Sequence, residues 1–419
     1  MAAPSTRGGM ESQSLPPGAC RRVSCFAKGN KLGEGTYGSV YCAIDKESST
    51  RVALKRVKLS GAGFEREGMP QTSLREIGLL KRLKHPNIVS LLEVVVGNRA
   101  DSVFLVFEYC EHDLSRLIDT MPRPFGHGEV KWMLSELLQA IGYLHAHCVM
   151  HRDLKVSNIL LTGSATLKLC DFGLARSFSR LERESYTAKM VTLWYRAPEL
   201  LFGSKEYGPP VDMWSVGCIL GELLLHRPLL PASTEAAQVT LLCELLGAPS
   251  ARIWPEVDGL PLWGKLSLPD QPYNELATKF AQVQPGKPAL DILNKMLTYD
   301  PKQRITAAEA QRHAYLISTV PPVAERPRSH MIGRRGVSSG SASAPMAAAA
   351  SSSHDSTRRQ SGQALKRAMP PTDEPHEGAG SGRNAPRAEQ RDSVGGHAVG
   401  TSVRLPSPCD VAASTMRFC

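Results

Sequence analysis

The chain has 419 residues, 50 Lys and Arg against 40 Asp and Glu for a net charge of +10, and 42% hydrophobic residues. That balance supports a buried core and excludes a wholly disordered or collagen-like chain. The richest apolar run, Val216 to Leu230, is broken by Glu222, His226 and Arg227, so a membrane span of about 18 apolar residues is excluded. The ten cysteines lie without a Cys-x-x-Cys pair, so neither a zinc site nor a disulfide framework is expected, and a reducing, intracellular compartment fits.

Residues 1–25, with the Pro16-Pro17-Gly18 turn signal, read as a disordered leader. The folded part spans 26–319, and its size favours two lobes, 26–109 and 110–319. Alternating Val, Ile and Tyr runs between turn residues predict strands over 27–58, the clearest being Val52 to Lys55. Behind Pro70, Leu74, Ile77, Leu80 and Leu83 predict a helix with one apolar stripe. Two further strands are expected at Val94 to Gly97 and Val103 to Tyr109.

Beyond residue 113 the pattern turns helical. Val130, Met133, Leu134, Leu137, Leu138, Ile141 and Leu144 define a long amphipathic helix, and Asp212 to Leu225, apolar on every face, reads as a helix inside the second lobe. From 320 to 419 the sequence has one aromatic residue, Phe418, with 13 Lys and Arg against 8 Asp and Glu among Ser, Ala, Gly and Pro. This tail cannot build a core. Its arginines fit either a solvated linker or a nuclear-import or weak RNA contact, and no aromatic residues interleave them as a stacking platform would need.

Several motifs carry chemistry. Leu32 through Val40, with Gly33, Glu34, Gly35, Thr36, Tyr37, Gly38 and Ser39, joins two predicted strands, and its glycines would let backbone amides approach phosphates. Lys55 follows on a strand, where a carboxylate such as Glu76 could fix its ammonium. His151-Arg152-Asp153-Leu154-Lys155-Val156-Ser157-Asn158 comes next, then Asp171-Phe172-Gly173 and Ala197-Pro198-Glu199.

In this order the motifs resemble the signature set of the eukaryotic protein kinases over residues 27 to about 316. The resemblance implies an α+β, two-lobed protein kinase fold, with a small β-rich N-lobe holding one helix and a larger, mostly α-helical C-lobe. It also implies ATP and Mg²⁺ as cofactors. By position, Asp153 is the expected base, Lys155 the transfer-site lysine, Asn158 and Asp171 the magnesium ligands, and Lys55 with Glu76 the phosphate-holding pair. Leu32 to Val40, Lys55, Glu108 and Cys110 are the expected nucleotide contacts. Phe107 either guards the back of the adenine site or is core. Cys170 is expected as a small buried hydrophobe, and as a reactive position if exposed. Lys155 within Asp-Leu-Lys-x-x-Asn resembles the serine/threonine pattern.

Pro70 to Glu76 (Pro-Gln-Thr-Ser-Leu-Arg-Glu) resembles the cyclin-binding tag of the cyclin-dependent kinases, one residue from PITSLRE and two from PISSLRE. Elsewhere, as at Val94 to Asn98 and Gln271 to Asn274, the chain resembles the PISSLRE, ten-like branch more. A cyclin on the helix around Leu74–Glu76, an activating kinase for Thr187, and Arg75, Arg152 and Arg176 as receptors of that phosphate are implied. Thr36 and Tyr37 match inhibitory phosphorylation positions or are plain turn residues. Met190 to Arg196 resembles the segment that selects proline after the phosphorylated residue. Against this, Asp171 to Glu199 is one residue longer than the family pattern, and Ser179 to Glu182 replaces its Gly-x-Pro stretch.

The sequence therefore predicts a cyclin-dependent serine/threonine kinase acting on Ser/Thr-Pro sites of protein substrates, nuclear or cytoplasmic, in cell-cycle or transcription control. The alternatives are a catalytically silent scaffold and a cyclin-independent proline-directed kinase. Membrane and nucleic-acid partners are not expected.

Overall fold

The computed structural model describes residues 20–35, 38–57, 71–97, 102–179 and 192–318. Thr36, Tyr37, Thr187 and the tail from 320 lie outside the described residues. Strands β1 (Phe26–Gly35), β2 (Gly38–Asp45) and β3 (Arg51–Arg56) precede helix α1 (Gln71–Arg82), and β4 (Leu91–Val96) and β5 (Val103–Glu108) follow it. The five strands form one antiparallel sheet in the order β1-β2-β3-β5-β4.

The two-residue period of a strand divides β3 between two faces. Val52 and Leu54 join Phe26, Ala43, Val95, Phe104 and Val106 in one cluster, leaving Lys55 for the opposite face. The chain before β1 covers that cluster with Val23 and Cys25. Residues 20–25, expected in the leader, are thus part of the N-lobe. Arg21 ion-pairs with Asp45 at 2.8 Å and with Glu93 at 2.8 Å, and lies over the Phe26 ring.

Helix α1 forms where predicted, but its buried side is Ser73, Glu76, Leu79 and Leu80, continued by Leu83. Leu74 is 53% exposed. A strict three-residue spacing drifts around a helix of 3.6 residues per turn, so Leu74 and Leu83 cannot share a face. Glu76, drawn inward by a lysine, fixes which side is buried.

The C-lobe begins with β6 (His112–Asp113) and α2 (Leu114–Thr120), whose first amides are capped by Asp113, which accepts from Ser115 N at 2.8 Å. Helix α3 (His127–Ala146) buries all seven apolar residues of its predicted stripe. Next come β7 (Val149–Met150), β8 (Ile159–Leu161), β9 (Leu167–Leu169) and β10 (Arg176–Ser177), then α4 (Pro198–Leu201) and α5 (Pro210–Leu225). Helices α6 (Glu235–Leu246), α7 (Leu276–Lys279), α8 (Lys287–Met296), α9 (Ala307–Gln311) and α10 (Ala314–Ile317) complete the lobe. The small sheets β6-β8-β9 and β7-β10 carry the connecting loops. A strand-rich lobe with one helix thus precedes a larger helical lobe, the α+β arrangement expected.

Every residue of α5 from Val211 to Leu224 is buried, as its all-round apolar sequence requires. A Cβ on Gly217 would lie 2.9 Å from both Met296 Cβ and Leu297 Cδ2. Gly217→Ala is expected to destabilise the fold by about 1–3 kcal/mol through overpacking, outweighing the roughly 1 kcal/mol that alanine gains in helix propensity. A urea midpoint that stays put or rises would show that α5 and α8 can yield.

Candidate active site

Lys55, the penultimate residue of β3, lies opposite Val40 of β2 and Leu105 of β5, facing α1. Its Nζ lies 2.8 Å from Glu76 Oε1 and 3.1 Å from Asp171 Oδ1. Burial lowers the Lys55 pKa, but Asp171 and Glu76 outweigh it and leave it raised. Burial likewise pushes Asp171 up, but Lys55 outweighs it and the carboxyl ends lowered. Burial dominates at Glu76, which is raised despite Lys55. The sequence-predicted trio Lys55, Glu76 and Asp171, drawn from three distant segments, meets at one point.

The loop between β7 and β8 holds the second group. Lys155 Nζ is 2.8 Å from Asp153 Oδ2, and Asn158 Nδ2 donates to Asp153 O at 2.7 Å and to its Oδ2 at 3.1 Å. Thr192 donates its hydroxyl to Asp153 Oδ1 at 2.8 Å, and Lys155 Nζ donates to Thr192 Oγ1 at 3.1 Å. Thr192 was not among the sequence-predicted site residues. Within the motif segment Met190 to Arg196 its own hydroxyl carried no separate signal.

The floor beneath this loop was also missed by sequence reasoning. Asp212, at the start of α5, accepts from the backbone of His151 and Arg152 and lies against His145 Nε2, all at 2.9 Å. Burial would raise its carboxyl, but the bond to His145 and the backbone amides leave it lowered. His151 Nε2 faces Cys170 O at 3.1 Å while its Nδ1 accepts from Asp153 N at 3.3 Å, which assigns the ring proton to Nε2. The His151 ring meets Phe172 edge-on with centroids 5.0 Å apart, tying this loop to the segment of Asp171.

The Gly-rich segment is the β1–β2 hairpin, paired Gly33 to Val40, Glu34 to Ser39 and Gly35 to Gly38. Gly38 has φ +144°, a conformation open to glycine and strained for residues with a Cβ. Leu32 and Glu34 are exposed, Ser39 and Val40 half-buried. Glu108 ends β5, and its carboxylate accepts from Ser90 N at 2.6 Å and Lys168 Nζ at 2.9 Å. Its side chain is therefore engaged with Ser90 and Lys168. Burial pushes the half-buried Cys110 thiol up to about 12, and that of Cys170 well above its ordinary value, so both behave as small hydrophobes. Phe107 is buried in the core shared by the lobes.

Of the three expected phosphate receptors, Arg176 pairs across β10 and β7 with Met150, two residues before Arg152. Arg75 lies half-buried on α1.

The donor set fits ATP-bound magnesium. Asn158 spends its amide nitrogen on Asp153, leaving Oδ1 as its acceptor, and Asp171 is held as a carboxylate, so both offer the hard oxygen ligands that ion takes. Among the described residues no group of three or more His, Cys, Asp or Glu could hold a metal ion.

Residues 26–316 match the protein kinase domain family, and the chain belongs to it. It is 49% identical over 306 residues to cyclin-dependent kinase 10 of Homo sapiens, covering 72% of this chain and 83% of that one. Probable cyclin-dependent kinase 10 of Dictyostelium discoideum is 50% identical over 296 residues, 70% and 80% of the two chains. Cyclin-dependent kinase 11B of Homo sapiens is 46% identical over 304 residues, 73% of this chain and 38% of that one. The fold is the protein kinase fold, and the chain is a serine/threonine protein kinase of the cyclin-dependent kinase branch, similar to cyclin-dependent kinase 10. No helix among the described residues is long and apolar enough to cross a membrane.

Proposed function

We propose that the chain transfers the γ-phosphate of ATP to serine or threonine followed by proline in protein substrates, under control of a cyclin and of phosphorylation at Thr187. One observation carries the reading of the centre. An aliphatic hydroxyl, that of Thr192, already donates to Asp153 Oδ1 at 2.8 Å, while Lys155 Nζ stands within 2.8 Å of the same carboxylate. A substrate hydroxyl offers the same donor chemistry.

In the step, the acceptor oxygen bonds to the γ-phosphorus, its proton passes to Asp153, the bond to the bridging oxygen breaks, and ADP leaves. Lys155 balances charge on the moving phosphoryl group. Lys55, held by Glu76, grips the nonbridging oxygens of the other phosphates, and the hairpin glycines bring backbone amides to them. The backbone of Glu108 and Cys110 reads the adenine. Magnesium, held by Asn158 and Asp171, would neutralise the phosphate charge.

The exposed Leu74 supports the cyclin assignment, because it lies on α1 away from the face that buries Glu76. A partner packed there can set the helix and hence the Lys55–Glu76 pair. Arg75, Arg152 and Arg176 would receive a phosphate on Thr187 from an activating kinase. Cell-cycle or transcription control, in nucleus or cytoplasm, completes the proposal.

The test is the full chain, purified with its copurifying cyclin, on paired Ser-Pro and Ser-Ala peptides. At least tenfold preference for Ser-Pro is expected, and equal rates would refute the proline preference. Thr192→Val keeps the side-chain shape but removes the bridge between Asp153 and Lys155. Its kcat is expected to fall about tenfold with KM for ATP unchanged, since an ionic hydrogen bond near the reacting proton is lost. A kcat within twofold of wild type would show the bridge to be idle.

A further inference from the structure

Arg152, adjacent to Asp153, has φ +65°, a left-handed conformation disfavoured for any residue with a Cβ. Such a backbone persists where its surroundings over-determine it. Its N–H donates to Asp212 Oδ1 at 2.9 Å, its Nε to Leu174 O at 2.8 Å, and its Nη1 to Tyr207 Oη at 2.9 Å. Two of these three partners, Tyr207 and Asp212, come from one short stretch leading into α5, whose body is buried. That stretch clamps the loop twice, Asp212 on backbone and Tyr207 on side chain.

Tyr207 is half-buried and packs against the core, so its hydroxyl is held in place. Burial raises its phenol pKa despite Arg152 and, close by, Arg176. It therefore stays a neutral acceptor for Arg152, an arginine expected to receive a phosphate.

We propose that Tyr207 is a positioning residue of the catalytic loop, whose hydroxyl holds the Arg152 guanidinium, and through it the Arg152–Asp153 backbone, until a phosphate on Thr187 supplies further acceptors. The proposal rests on the reading of Asp153 as base and of Arg152 as a phosphate receptor given above.

The test compares wild type with Tyr207→Phe, which removes only the hydroxyl, as full chains with the copurifying cyclin. Each is prepared with Thr187 dephosphorylated and phosphorylated, verified by mass spectrometry. In the dephosphorylated form kcat on a Ser-Pro peptide is expected to fall about five- to tenfold, with KM values within twofold and an unchanged thermal midpoint. With Thr187 phosphorylated the deficit should shrink to within twofold. Amide exchange over residues 149–155 gives a second readout independent of rate, and should quicken in Tyr207→Phe only when Thr187 is dephosphorylated. Equal kcat and equal exchange in the dephosphorylated forms would overturn the proposal. So would a loss that is the same in both forms and tracks a lowered thermal midpoint, since that is packing alone. An Asp153→Asn control that keeps the wild-type rate would instead strike the assignment beneath it, and a wild type indifferent to Thr187 phosphorylation would strike the receptor reading.

Discussion

Asp153→Asn is expected to lower kcat for peptide phosphorylation by about 10²–10⁴-fold, the range set by general acid–base catalysis, while nucleotide affinity and thermal midpoint stay near wild type. Asparagine fills the same volume and keeps an acceptor for the Thr192 hydroxyl. The Asn158 bond to Asp153 O uses the backbone and survives at its 2.7 Å. What disappears is the proton sink, the anion facing Lys155 Nζ and, with the new amide nitrogen at the Oδ2 position, the 3.1 Å bond from Asn158 Nδ2. Initial rates at saturating ATP, with a nucleotide-binding titration alongside, decide the matter. A rate within tenfold of wild type would mean that Asp153 orients rather than accepts.

The largest stability effect is expected at Arg304, whose side chain is 0% exposed, with that of its partner Glu199 at 5%. The two form a paired contact, Nη1 to Oε1 at 2.8 Å and Nη2 to Oε2 at 2.9 Å. The guanidinium also donates to the carbonyls of Thr298, Pro210 and Tyr299. Arg304→Met would leave the buried Glu199 carboxylate uncompensated, a loss of about 3–5 kcal/mol. Glu199→Gln in the same chain should recover part of that loss, because the stranded charge is removed. Chemical denaturation of the single and double variants measures both numbers. A loss under about 1 kcal/mol for Arg304→Met would show that the site relaxes or admits water. Through Glu199 and Pro210 O, the Arg304 guanidinium ties the Ala-Pro-Glu segment to the start of α5.

What the sequence disclosed depended on how far apart the partners lie. Asp153, Lys155 and Asn158 stand within six residues, and it was the resemblance of that run to the kinase signature that marked them as one cluster, which the fold assembles. Glu76 and Asp171 were legible because each sits in a motif, and Lys55 because it follows the Gly-rich segment on a strand. Asp212, His145 and Tyr207 had no such tag. Asp212 meets the loop from 60 or 61 residues away, a relation only tertiary structure creates. Arg21 was hidden for the same reason, since its carboxylates lie 24 and 72 residues further on. On α1 the apolar pattern placed Leu74 on the buried face, whereas the ion pair of Glu76 set the orientation. The large helices needed no such help, because α3 and α5 bury faces that their own periodicity draws.

The central claim is that this centre delivers phosphate to an aliphatic hydroxyl. Its most direct test is transfer of labelled γ-phosphate from ATP by the full chain with its copurifying cyclin to three peptides that differ only in Ser, Thr or Tyr before proline. Label on serine and threonine and none on tyrosine is the predicted result. Label on tyrosine, or none on any peptide from a complex phosphorylated at Thr187, would contradict it.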